Sequence, residues 1–265
     1  MMIVLLLACR ADHAEPCEAP LTESSEVAAA VDEGGTWGVA AGDYSLDVHS
    51  RSDVALSGCG DVTFTGTDSV TWTVEGGSVA LDGITVVAGD EAAFLVKDGT
   101  LLDVEGGVLA SEVGSFGVVV HGGHVLLEAT EIDADDVGAV LEGGSLTATD
   151  VEMSGTWIAR GGTLRLERGS TLPSQTYALY AYGDSVGRVV LADHRFGGEA
   201  HVSGFELDAV GTTFTGPGIG LDLNDAVGLV SDSLFHDADI GVALSGSDVA
   251  LEDNAFEDVG TPVVD

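Results

Sequence analysis

Phe214, Phe235 and Phe256 stand 21 residues apart, and the segments that follow them, "TGPGIGLDL", "HDADIGVAL" and "EDVGTPVVD", can be laid over one another. A fixed period of about 20 residues is the signature of a chain that builds its core by stacking one small unit on the next. Working backwards, equivalent apolar anchors fall at Phe196, Leu172, Met153, Ile132, Val108, Ile84, Phe64 and Leu46, at intervals of 18 to 24 residues. That spacing predicts about eleven rungs. Between the anchors, Gly-Gly or Asp-Gly recurs at 76–77, 98–99, 122–123, 143–144 and 161–162, each time between two short apolar alternations. Glycine suits such corners because it accepts a positive φ without a Cβ penalty. Short strands joined by glycine corners describe stacked β-coils. Leucine-rich repeats have a similar period, but they need an Asn in each unit, and this chain has only two asparagines.

The alternation also specifies a coil register. In the strand before each corner, the inward pairs are Trp72 and Val74, Phe94 and Val96, Val118 and Val120, Ala139 and Leu141, and so on to Val242 and Leu244. Side chains alternate across a strand, so the residues between them point out. One outward column, next to the corner, reads Glu75, Lys97, His121, Glu142, Arg160, Tyr182. Its alternating signs predict a ladder of ion pairs. The other reads Thr73, Leu95, Val119, Val140, Ile158, Tyr180, His201, Asp222. The apolar middle of that column is a surface expected to be covered by something.

Before the first rung lies "SSEVAAAVDEGG". Ser24 or Ser25 can cap a short helix with Val27, Ala30 and Val31 on one face, ended by Gly34. This helix, then "AGDYSLDV", then β-rungs, resembles the start of right-handed parallel β-helix proteins of the pectate-lyase-like superfold. The resemblance implies an all-β, right-handed single-stranded parallel β-helix over 35–265, with residues 21–34 as an N-terminal capping helix over the end of the coil. It implies a fold and not a reaction.

The first residues, "MMIVLLLACR", resemble the bacterial lipobox. That resemblance implies a signal peptide over 1–8, lipidation at Cys9, a tether over 9–20, and export to the bacterial cell envelope as an outer-membrane or surface lipoprotein. Two cysteines remain, Cys17 and Cys59, and in an oxidising compartment they can pair or stay as separate thiols. The last residues, "TPVVD", read as a strand, and its parallel edge is expected to be a place for self-association.

A net charge of −37 argues against nucleic acid as a partner, since both are polyanions. The motifs of polygalacturonases and of calcium-binding pectate lyases are absent, as are phosphate loops and Gly-x-Ser-x-Gly. The leading expectation is therefore a surface-anchored, non-enzymatic structural or recognition module that binds glycan or protein along one outer face. Val140, Ile158, Arg160, Tyr180, Tyr182 and Arg188 would form the binding surface. The alternative is a lyase, hydrolase or epimerase of uronate-containing polysaccharide, with His121 as acid, Glu142 as base and Arg160 holding a carboxylate. No metal site and no cofactor are expected, although so acidic a surface would admit Ca2+. "HGGH" at His121–His124 reads as a corner and not as a metal motif.

Overall fold

Residues one repeat apart pair side by side from the first described strand to the last. The computed structural model describes residues 16–67, 69–104, 108–111, 115–173 and 176–265. The proposed leader and Cys9 lie outside the described residues. Within them, 26 strands pair in parallel into a β-solenoid of about ten turns. Each turn contributes a strand to each of three faces.

On the first face, Trp72 pairs with Phe94, Phe94 with Val118, Val118 with Ala139, and Ala139 with Trp157. The column continues through Leu179, Ala200, Leu221 and Val242. All are buried. On the third face the repeat becomes a pile of rings: Phe196, Phe214, Phe235 and Phe256 stack with centroids 5.6, 4.9 and 5.0 Å apart. Offset stacking at this spacing adds to the burial of each ring.

Two anchors differ from the sequence reading. Met153 pairs with Thr171 and Thr171 with Phe196, so Thr171 holds the inward place and Leu172 is 62% exposed. Likewise Ile132 pairs with Leu109, not Val108. A one-residue slip moves a side chain to the opposite face. A threonine can take the core position because Trp157 Nε1 donates to its hydroxyl at 2.8 Å and His194 Nε2 lies 2.9 Å from it.

His194 itself is buried, packed on Phe196, with no partner for Nδ1 among the described residues. Burial lowers its pKa from 6.5 to about 4. The unfolded chain therefore takes up the proton first, so the neutral ring's contribution is whole above pH 6.5 and drains away as pH falls toward 4. At 1.36 kcal/mol per pH unit the loss is about 3 kcal/mol. Urea unfolding of wild type and His194→Asn at pH 7 and pH 4 isolates this from the carboxylates. The wild type should lose about 3 kcal/mol more than the variant; equal losses would mean that His194 is protonated in the folded state.

The corners explain part of the composition. Nine described non-glycine residues have positive φ, and seven of them are aspartates, among them Asp150, Asp193, Asp232 and Asp253 at equivalent corners of different turns. Aspartate tolerates this conformation better than most residues. Seven of the 45 acidic residues are thus turn chemistry as well as surface charge.

The helix Ser24–Glu33 precedes the coil and buries Val27, Ala30 and Val31. Its N-cap is Glu23 and not either serine, because Glu26 turns back to accept from the Thr22 and Glu23 amides at 2.8 and 3.2 Å. A disulfide joins Cys17 to Cys59 and fastens the segment before the helix to the first turns.

Candidate functional site

The outward residues of the first face line a longitudinal groove. Its floor is Leu95, Val119, Val140 and Ile158, four successive rungs of one column. One wall is the corner column, with His121, Glu142 and Arg160; the other is formed by Glu91, Phe116, Asp136 and Val137. The volume is about 620 Å³. Strand Glu131–Leu141 makes the second wall because its register with the strand Glu152–Ala159 shifts between Asp133 and Ala139. Asp136 lies within that irregularity and Val137 stays in register with Phe116; both border the floor, where Val140 is 5% exposed. A second hollow of about 360 Å³ shares Asp136, Val137 and Ile158 with the first and runs on to Thr156, Tyr177 and Tyr180. The two hollows adjoin along those three residues.

The ion-pair ladder along the corner is present. Glu75 is bracketed by Arg51 at 2.7 Å and Lys97 at 3.3 Å, and these partners hold its carboxyl below the usual range, the Arg51 hydrogen bond most of all. Three rungs on, Glu142 lies between Arg160, 2.9 Å from Oε1, and His121, 3.2 Å from Oε2. Arg160 also donates to the Tyr182 hydroxyl at 2.8 Å. The three residues of the candidate acid–base set thus face one another. Both oxygens of Glu142 are engaged, which is the geometry of a ladder rung.

At the far end the second hollow meets a cluster of rings. Tyr180 lies 5.0 Å from both Tyr177 and Tyr182 and stacks on His201 at 4.9 Å. Asp222 fixes the His201 ring through Nδ1 at 2.7 Å. Glu199, on the strand that carries His201, has its carboxyl pushed above the ordinary value by burial and by the charge of Asp222. Tyr177 in turn has its phenol raised, chiefly by Glu199.

Among the residues singled out from sequence, Val140, Ile158, Arg160, Tyr180 and Tyr182 come together here, with His121 and Glu142 along the rim. Arg188 does not. The strand Tyr177–Ala192 turns the corner between Tyr182 and Gly187, so Arg188 pairs with Thr163 and Glu206 on the second face and reaches toward Asp208. Sequence reasoning passes over Tyr177 and Glu199, and gives no role to His201 and Asp222 although both stand in the same column as Tyr180. The column is the available signal; the register shift that brings Tyr177 beside Glu199 is not visible in it.

These features define a parallel β-helix protein with a groove along one face. Comparison with protein-family models gives no match, and comparison with curated proteins gives none. Among solved structures, the chain is similar to the Streptococcus pneumoniae surface protein and adhesin PfbA at 11% identity, over 90% of this chain and 93% of that one, with a TM-score of 0.43. It is also similar to the Azotobacter vinelandii mannuronan C-5 epimerase AlgE4 A-module, at 14% identity over 89% and 73%, with a TM-score of 0.31.

Proposed function

We propose that this protein is an exported, surface-anchored and non-enzymatic recognition module that holds an extended neutral glycan in the groove. The observation that carries the reading is that the two hollows adjoin: an apolar floor over four rungs borders a hollow lined by Tyr177 and Tyr180. Tyrosine faces suit sugar rings, being apolar bodies with a polar tip. The walls place Glu91, Asp136 and Glu142 against Arg160 and His121. In a chain of charge −37 such walls repel a polyuronate and admit an uncharged chain. The Cys17–Cys59 disulfide suits an oxidising compartment, as the lipobox-like start does.

Calorimetric titration with neutral and uronate oligosaccharides tests this. Neutral oligomers should bind, and Tyr180→Ala should weaken them about two- to tenfold, since a stacked ring contributes about 0.5–1.5 kcal/mol. Tighter binding of uronates, or indifference to Tyr180→Ala, would count against it. The enzymatic reading retains one observation, the His201 ring oriented by Asp222 beside Tyr180. Product released from any oligosaccharide, and lost in His201→Ala, would favour that reading instead.

A further inference from the structure

We infer that Glu199, His201 and Asp222 form a binding site for one divalent transition ion, of which Zn2+ is the first to try. Glu199 and His201 are two residues apart on the strand Glu199–Val210, so both project from the same face. Asp222 is the register partner of His201 one rung on. All three are half-buried, and one donor atom of each lies within 4.8 Å of the other two. This cluster is separate from the glycine corner of His121 and from the ladder of Glu142.

The charges call for a cation. Elsewhere on this face each ladder carboxylate has Arg or Lys against it, as Glu75 and Glu142 do. Among the described residues neither Glu199 nor Asp222 has one; the one ion-pair partner of either is the His201 ring on Asp222. A divalent ion would supply the missing positive charge for both. The donor set then selects the ion: an imidazole nitrogen with two carboxylate oxygens suits Zn2+ and its transition-metal neighbours, whereas Ca2+ and Mg2+ prefer oxygen alone. Stacking on Tyr180 restrains the ring, as outer contacts do for a ligating histidine. Three protein ligands leave a coordination position for water. The inference does not depend on which ligand the groove holds.

A second group, His236, Asp237 and Asp258, has the same kinds of donors. There both aspartates are exposed turn residues with positive φ, so their place is explained by the backbone, and the group serves as a control.

The test is calorimetric titration of the full chain with Zn2+ alone, after dialysis against chelator, for wild type, His201→Ala, Glu199→Gln, Asp222→Asn and His236→Ala. Circular dichroism confirms that each variant is folded, and the near-isosteric Glu199→Gln and Asp222→Asn keep the coil surface intact. Wild type and His236→Ala should bind one ion per chain. Loss of a ligand should weaken binding at least as much as loss of an outer-shell partner does, about 10- to 100-fold. No saturable binding by wild type, equal binding by His201→Ala, or Ca2+ bound as tightly as Zn2+ would each overturn the site in favour of diffuse attraction to an acidic surface. Because no sugar is present, these outcomes are separate from success or failure of the glycan reading.

Discussion

Gly144→Ala should destabilise the coil by about 2–5 kcal/mol, whereas Gly83→Ala should cost only about 1–2 kcal/mol. Both glycines have positive φ, +75° and +63°, so both substitutions force a side chain into the left-handed region. Their surroundings differ. A Cβ at Gly83 meets nothing within 4 Å, but one at Gly144 would lie 2.2 Å from the carbonyl oxygen of Gly123. The same collision recurs down the corner: Gly99 against Gly77 at 2.7 Å, Gly123 against Gly99 at 2.4 Å, Gly162 against Gly144 at 2.4 Å. The atom in the way is backbone on the adjacent rung, which cannot swing aside without unstacking the sheet, and an overfilled site of this kind costs about 1–3 kcal/mol beyond the conformational term. Urea unfolding of the two variants beside wild type reads the difference. If they are equally stable, rung spacing at the corner is soft and the glycine column is a matter of φ alone.

Removing the Cys17–Cys59 disulfide, by Cys17→Ser with Cys59→Ser, should cost about 4 kcal/mol on the chain-entropy account, given a closed loop of 42 residues. The loss should be local. In a solenoid each unit contacts its neighbours only, so distant rungs are insulated from the event. The bridge fixes the stretch that leads into the helix Ser24–Glu33, and Leu21 pairs with Val39 beside it. Amide exchange should therefore accelerate over 21–45 and stay unchanged over 200–245. Equal protection of 21–45 in the two forms would show that Val27 and Val31, buried against the first turns, hold the cap without the bridge.

The fold is readable because its rule is repeated. The alternation around Trp72, Phe94, Val118, Ala139 and Trp157 specifies one register, and each rung votes for the same one. Where a single rung departs, the pattern misleads. Leu172 looks like the anchor because it is the apolar neighbour of a polar residue, and only the Trp157 and His194 contacts show why the Thr171 hydroxyl is satisfied inside. The candidate site is half legible for the same reason. The ladder of Lys97, His121, Glu142 and Arg160 and the apolar floor through Val140 and Ile158 follow from the columns. The bulges do not. They place Asp136 in the wall, bring Tyr177 beside Glu199, and carry Arg188 round to another face.

By itself, then, the sequence determined that this chain stacks coils, which residues fill them, and where the corners fall, since period and alternation are local properties repeated many times. Whether the outer face would be flat or grooved, and which polar side chains would meet at its end, was decided by the tertiary structure. Those outcomes hang on single register shifts and on contacts between residues about 20 positions apart. "HGGH" shows both halves: Gly123 was legible as a corner, and the partners of His121 and His124, Glu142 and Ser145, came into reach only when the next rung was laid on top.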